Sequence, residues 1–120
     1  MLRKLRNGCV KINDVATAFV RYINIDQGKR RPILIVKIKD DFVLAFKITS
    51  QFKNKSQQIR QNYFKITDWQ QTGLKKPSWI DTNSQPLEFP TKMVGNSFGH
   101  LSEADRISFH DFLVARLQNK

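Results

Sequence analysis

The chain has 120 residues and one cysteine, so a single domain without an internal disulfide is expected. Hydrophobic residues make up 40% and aromatic residues 11% of the chain, which argues against a disordered tail. No apolar run approaches the roughly 18 residues of a membrane span. The net charge of +11 is uneven, because residues 1–65 hold 15 Lys and Arg against 4 Asp and Glu, whereas residues 66–120 hold 6 of each.

Such an imbalance predicts one basic face that binds polyanions with salt-sensitive affinity. Nucleic acid is the first candidate, although a solvated surface or an acidic protein partner would explain the charge as well. The sequence has no helix-turn-helix pattern and no basic recognition helix, which disfavours a DNA-binding regulator.

The basic residues 1–12 are interpreted as a flexible extension of a single domain that spans 1–120. No apolar signal-peptide core follows them, so a cytoplasmic location without a membrane partner is expected. His100 and His110 stand apart from Cys9 and from any carboxylate ligand set, so neither a metal ion nor another cofactor is expected.

The first half of the chain predicts three strands. β-Branched and aromatic residues favour a first strand at Asp14–Tyr22, and the polar segment Asn24–Arg31, with its glycine, favours a loop. Pro32–Lys39 forms a second strand, with the proline at its start because proline donates no ladder hydrogen bond. A tight turn at Asp40–Asp41 leads into a third strand at Phe42–Thr49, and the second and third strands form a hairpin.

Side-chain alternation assigns the hairpin residues to two faces. In the third strand the predicted core face carries Phe42, Leu44, Phe46 and Ile48. The opposite face, which is expected to leave the core, carries Val43, Ala45, Lys47 and Thr49. In the second strand, Lys37 and Lys39 share the parity of Arg31 unless a bulge shifts the register.

The rest of the chain predicts short elements. Ser50–Arg60 is a long polar loop that is expected to be mobile, and Gln61–Thr67 is a fourth strand with Phe64 and Ile66 inward. Short strands are predicted at Ser78–Thr82, Leu87–Phe89 and Lys92–Val94, with turns at Gly73, Gly95 and Gly99. Ser102 is the predicted N-cap of a C-terminal helix whose apolar stripe comprises Ile107, Phe109, Phe112, Leu113 and Leu117. This pattern predicts a mainly β fold, a small and strongly curved β-barrel with a C-terminal α-helix.

Three short motifs occur in a characteristic order. Arg31-Pro32 enters an apolar strand, Ile48-Thr49-Ser50 ends the next strand, and Gly99-His100-Leu101-Ser102 precedes the helix. Together with Trp69, Gly73-Leu74 and Lys76-Pro77-Ser78, they give a chain that resembles the PemK/MazF-like toxins of bacterial toxin–antitoxin systems. The resemblance runs from about Asp14 to the end of the helix.

The resemblance implies an SH3-like barrel that forms a homodimer and cleaves single-stranded RNA without metal. The expected products carry a 2′,3′-cyclic phosphate and a 5′-hydroxyl, and a cognate antitoxin protein is expected to cover the RNA groove. The usual catalytic pair of the family maps to Arg31 and Thr49, with Ser50 in support. Arg31 would hold the scissile phosphate, and Thr49 would hydrogen bond the 2′-hydroxyl or a phosphate oxygen.

Asp81 is a departure from the family pattern. Members of the family often carry an arginine after Pro-Ser and two apolar residues, whereas Trp79 and Ile80 here precede Asp81. A carboxylate at this position is the candidate for the general base, since Thr49 is a weak one. It also raises an alternative, a catalytically weakened barrel that binds RNA or a protein partner without cleaving.

Basic and aromatic residues around the predicted hairpin and loop are the candidates for RNA binding. They are Lys29, Arg30, Lys47, Lys53, Lys55, Arg60 and Trp79. The lysines and arginines would contact phosphates, with simple solvation as the alternative. Trp79 would stack on a base, with packing inside the protein as the alternative.

Overall fold

The computed structural model describes residues 10–20 and 29–118, in which seven antiparallel strands precede a C-terminal helix. The strands are β1 (Asp14–Val20), β2 (Lys29–Ile38), β3 (Phe42–Thr49), β4 (Tyr63–Lys65), β5 (Trp79–Asp81), β6 (Leu87–Pro90) and β7 (Gly99–His100). The helices are α1 (Gln57–Arg60) and α2 (Glu103–Gln118), with a 3₁₀ turn at Thr91–Met93. The predicted mainly β fold with a C-terminal helix is therefore confirmed.

β3 is the centre of the sheet. The strand order is β4-β5-β3-β2-β1-β7, and β6 pairs with the same edge of β3 as β5 does. An isolated bridge from Val94 to Ala18 brings the segment after β6 against β1. The sheet curves but is not closed into a barrel within the described residues.

The predicted hairpin is confirmed, and β3 has the predicted bounds. β2, however, begins at Lys29, so the prediction of a loop through Arg31 is wrong for its last three residues. Their backbone pairs with β1, where Ala18 faces Arg31. Pro32 consequently lies inside the strand, a position it tolerates because the pairing of β2 with β3 begins only at Ile33.

Both faces of the sheet are packed, which corrects the prediction of a single core face. One cluster, against α2, contains Val15, Leu34, Phe46, Ile48, Ile66, Ile80, Leu101 and Phe109. The other contains Val10, Ala16, Ala18, Ile33, Ile35, Val43, Ala45 and Phe89. Val43 and Ala45 are fully buried because β6 and the first described residues cover them, whereas Phe42 and Leu44 are only half-buried.

A bulge in β2 corrects a second prediction about faces. The register with β3 shifts between Ile35 and Lys37, so Lys37 lies opposite Leu44, on the α2 side. Arg31 remains in phase with Ile33 and Ile35, on the other face. The predicted grouping of Lys37 with Arg31 is therefore wrong.

The remaining elements follow the predictions in part. β4 is shorter than predicted, although Ile66 is buried, and Lys92–Val94 forms a 3₁₀ turn and an isolated bridge instead of a strand. Gly99 lies in β7 instead of a turn. Gly95 donates its N–H to Thr17 along the edge of β1, so it does not form the predicted turn. Gly73 has a φ of 85° in the predicted turn.

The C-terminal helix begins as predicted, because the N–H of Asp105 donates to Ser102 Oγ over 3.1 Å. Phe109, Phe112 and Leu113 pack on the sheet. Ile107 and Leu117 do not, being 57% and 70% exposed, so the predicted stripe is too long at both ends.

No helix of the described residues is long and apolar enough to cross a membrane. Residues 1–9 of the predicted N-terminal extension and the predicted end of the first strand, 21–22, lie outside the described residues.

Asp105 joins α2 to the turn after β4, a contact that the sequence did not predict. It is 2% exposed, and its two carboxylate oxygens accept from the N–H groups of Thr67 and Asp68 over 3.2 and 2.8 Å. Ser102 Oγ also donates to Asp68 Oδ2 over 2.6 Å. The network fixes the angle at which α2 meets the sheet.

We expect Asp105→Ala to lower the free energy of unfolding by about 2 kcal/mol, because two part-buried backbone donors lose the carboxylate that accepts from them. The urea midpoint of unfolding measures this loss. Asp111→Ala on the same helix is the matched control, since the Asp111 side chain is 76% exposed and such surface changes stay within about 0.5 kcal/mol. Equal midpoints for the two variants would contradict a structural role for Asp105.

Candidate nucleic-acid interface

Cross-strand pairing arranges several candidate residues in rows on the face opposite α2. The first row crosses β2, β3, β5 and β4 as Ile33, Lys47, Asp81 and Tyr63. Residues that pair in this way have Cα atoms about 4.5–5.5 Å apart and side chains on the same side of the sheet. Lys47 and Asp81 are therefore direct neighbours, and Tyr63 lies on the far side of Asp81.

The second row crosses the sheet one pleat further along and contains the predicted catalytic pair. Thr49, Trp79 and Lys65 face each other across β3, β5 and β4. The pairing of β2 with β3 begins at Ile33, and the same register continued by two residues would set Arg31 opposite Thr49. Lys47, Thr49 and Asp81 therefore share one face, and Arg31, in phase with Ile33, lies on that face just before the paired part of β2.

Arg31 and Lys47 are half-buried cations without a partner among the described residues. The Nε atom of Arg31 is buried and has no acceptor there. His110 Nδ1 and Asp111 Oδ1 lie 3.7 Å apart on α2, remote from this face. Since a desolvated cation without an acceptor is costly, this corner of the sheet is suited to an anion.

Thr49 and Ser50 complete this corner with hydroxyl groups. Thr49 Oγ1 accepts from the N–H of Gln51 over 3.0 Å, which fixes the oxygen and leaves the hydroxyl hydrogen to donate. Both residues are half-buried. The hydroxyl of Thr49 is therefore a donor held beside two cations.

A groove of about 400 Å³ adjoins Ser50. The loop 50–54 forms one wall, and Lys76, Pro77 and Trp79 form the other. The groove contains two lysines and no acidic side chain, and at its rim Asn54 Nδ2 donates to Gln51 Oε1 over 3.3 Å. Its charge and its carboxamides suit a nucleotide.

An aromatic stack connects the loop to the sheet. The rings of Phe52 and Trp79 are 4.5 Å apart and nearly parallel, at 7°. The guanidinium of Arg60 lies 5.3 Å from the Phe52 ring, and Lys65 Nζ lies 5.6 Å from the Trp79 ring. Trp79 is thus half-buried, stacked on Phe52 and also part of the groove wall, so base stacking by Trp79 stays a prediction.

Arg60 holds the loop in place. Its Nε donates to the carbonyl of Lys55 over 3.0 Å, and its Nη2 donates to the carbonyl of Lys53 over 2.8 Å. Two donors of this predicted phosphate contact are therefore used within the protein. The loop also contains the one-turn helix α1, capped by Ser56, instead of being irregular throughout.

The other predicted RNA contacts are dispersed. Lys53 is exposed at the groove and Lys55 is half-buried behind it. Arg30 is exposed and alternates to the opposite face from Arg31, with its Nη2 close to Gly95 and Thr17. Lys29 begins β2 opposite Val20.

Asp81 and Tyr63 interact across β5 and β4. Asp81 Oδ1 accepts from the N–H of Asn83 over 2.9 Å. Burial raises the pKa of Tyr63, as do the charge of Asp81 and the hydrogen bond between the two side chains. The sequence did not identify Tyr63, Phe52, Lys65 or Lys76 as part of this face. The signal that could have indicated Phe52 is its place as an aromatic residue in an otherwise polar loop.

The histidines lie elsewhere. His100 is in β7, at the opposite end of the sheet from β4, and His110 is 76% exposed on α2. Within the described ranges, no group of three or more His, Cys, Asp and Glu side chains could hold a metal ion.

The chain matches no protein-family model and no curated protein. A function must therefore be argued from the residues of this face.

We expect Arg60→Ala to loosen the loop, because two carbonyls lose their donor. Loss of roughly 1 kcal/mol of local stability corresponds to about fivefold faster amide hydrogen exchange at Lys55, whose N–H donates to Phe52. Lys55→Ala is the control, since it changes the charge of the same loop and leaves both carbonyls bonded. Unchanged exchange in Arg60→Ala would mean that the Phe52–Trp79 stack alone holds the loop.

Proposed function

We propose that this face binds single-stranded RNA and that the protein is a metal-independent endoribonuclease, a toxin of the PemK/MazF-like family. The observation that carries the proposal is the buried Nε of Arg31, which has no acceptor among the described residues, on the same face as the half-buried Lys47 and the hydroxyl of Thr49. A phosphodiester would supply an acceptor to these donors.

The chemistry follows from the positions of the side chains. Arg31 binds the scissile phosphate and stabilises the charge that develops on it, with Lys47 as the second cation. Thr49 donates to a phosphate oxygen, and Ser50 does the same from the mouth of the groove. The 2′-oxygen attacks phosphorus and the bond to the 5′-oxygen breaks, which gives the cyclic phosphate and the 5′-hydroxyl.

The groove beside Ser50 receives the adjoining nucleotide. Lys53 and Lys76 neutralise its phosphate, and the carboxamides of Gln51 and Asn54 hydrogen bond its base. The cleavage sequence depends on this readout.

The remaining features implied by the family belong to the same proposal. They are the SH3-like barrel, the homodimer, the cognate antitoxin and the cytoplasmic location. The pairing of β6 with β3 and the bridge from Val94 to Ala18 support the barrel class, since they curve the sheet toward β1. The uncompensated positive charge of this face supports an antitoxin with an acidic segment.

Arg31→Ala is the direct test. Purified wild-type protein in EDTA should cleave single-stranded RNA to cyclic-phosphate ends, and Arg31→Ala should cleave about 10²–10³-fold more slowly. Arg106→Ala, which removes an exposed arginine from α2, is the matched control and should retain the wild-type rate. Intact RNA across many sequences would contradict the proposal.

RNA binding without cleavage is the second candidate function. Asp81, directly opposite Lys47, favours it, because a carboxylate stands where the family that the chain resembles often carries an arginine. Salt-sensitive binding of RNA that stays intact would identify this function.

Both functions require the groove lysines, which the salt dependence of binding tests. We expect Lys53→Gln combined with Lys76→Gln to reduce the slope of log affinity against log salt by about 1.4, since each phosphate contact to a single strand contributes about 0.7. Lys37→Gln combined with Lys92→Gln removes two exposed lysines elsewhere and should leave the slope unchanged. Equal slopes for the two double variants would show that RNA does not use the groove.

A further inference from the structure

Asp81 lies between a cation and a phenol. The register places Lys47 opposite it on β3 and Tyr63 opposite it on β4. We propose that Asp81 is the general base that accepts the proton of the 2′-hydroxyl, and that Tyr63 is the positioning residue that holds its carboxylate. The proposal rests on RNA cleavage at Arg31 and Thr49.

The distance between Asp81 and Thr49 suits a general base next to a phosphate site. Asp81 and Thr49 are diagonal neighbours on β5 and β3, a relation that separates two residues by about 7–8 Å. The 2′-hydroxyl and the scissile phosphate belong to the same nucleotide, so a base and a phosphate site must lie within a few ångströms of each other. A phosphate between Arg31 and Lys47 therefore brings its 2′-hydroxyl toward Asp81.

Local contacts fix the carboxylate. Its Oδ1 accepts from the N–H of Asn83, whose side chain is itself held by Asn62 Nδ2 over 2.8 Å. Tyr63 lies directly opposite Asp81 on β4, and the charge of Asp81 contributes to the raised pKa of its phenol. Tyr63 in turn contacts Phe52, at 6.3 Å between ring centroids, so the aromatic stack of the loop supports the phenol. The two carboxylate oxygens have further lone pairs, which can accept a hydrogen bond from the substrate.

Several cations and one backbone donor surround Asp81. Lys47 on β3, Lys65 on β4 and Arg31 on β2 are on its face, Tyr63 lies opposite it on β4, and the N–H of Asn83 donates to it. An ionised carboxylate is the form that accepts a proton. In the step itself the proton passes from the 2′-oxygen to Asp81, the 2′-oxygen bonds to phosphorus, and the leaving 5′-oxygen takes a proton from solvent water.

The separate effects on kcat and KM distinguish positioning from mere structural support. Asp81→Asn should lower kcat about 10²–10⁴-fold. Tyr63→Phe should lower kcat by up to about 10²-fold and leave KM unchanged, because the carboxylate loses the group that orients it. A purely structural role would instead raise KM and lower the urea midpoint of unfolding as well. Phe64→Leu, on the same strand and the opposite face, is the control and should leave kcat unchanged.

A second measurement does not depend on activity. Tyr22 is the other tyrosine of the chain, so Tyr63 is the single tyrosine of a Tyr22→Phe background. In this background, adding Asp81→Asn should move the near-ultraviolet titration of the Tyr63 phenol to lower pH. The reason is that the substitution removes the negative charge that opposes ionisation of the phenol.

The outcomes are distinguishable. Cleavage by Tyr63→Phe with the wild-type kcat would overturn the positioning role and leave the proposed function intact. Failure of the wild-type protein to cleave RNA would overturn the proposed function and, with it, the role of Asp81 as a base. A Tyr63 titration that Asp81→Asn does not move would overturn the pairing itself, whatever the activity.

Discussion

The register of β3 is the constraint on which the rest of the structure depends. β3 pairs with β2 along one edge and with β5 and β6 along the other, so its hydrogen bonds fix three neighbours at once. A slip of β3 by one residue would turn each of its side chains to the other face of the sheet. It would remove Phe46 and Ile48 from α2, and it would turn Lys47 and Thr49 away from Arg31. The core and the candidate site therefore depend on the same pairing.

The sequence predicted the elements that depend on local signals. It predicted few of the features that depend on contacts between residues far apart in the chain. The bounds of β3 and the helix cap at Ser102 follow from alternation and from a hydroxyl before two acidic residues, both of which are local signals. The start of β2 did not follow, because residues 29–31 are polar and are held in the strand by β1. The burial of Val43 and Ala45 did not follow either, since alternation identifies a face but not what covers it.

The candidate site likewise contains residues that the sequence predicted and residues that it did not. Arg31, Thr49 and Lys47 could be placed on one face because one hairpin contains all three. Phe52, Tyr63 and Trp79 could not, since they meet only after the loop folds over β4 and β5. The bulge that removes Lys37 from the face of Arg31 has no sequence signature, because the residues around it are ordinary strand formers. Long-range contacts of this kind decide which of several basic residues share a surface.

The charge of Asp81 is compatible with a phosphate site because of what surrounds it. Arg31, Lys47 and Lys65 share its face, so the described strand residues of the two rows carry three positive charges and one negative charge. A phosphodiester entering beside Arg31 still meets a net positive field, and the repulsion from Asp81 is reduced by Lys47, which lies between the carboxylate and β2. For the proposed endoribonuclease, a carboxylate in that position is compatible with phosphate binding, and it would supply the proton acceptor that neither a guanidinium nor a hydroxyl provides. If the proposal holds, the residue that departs from the pattern of the family that the chain resembles is on these grounds better interpreted as part of the chemistry than as a sign of its loss.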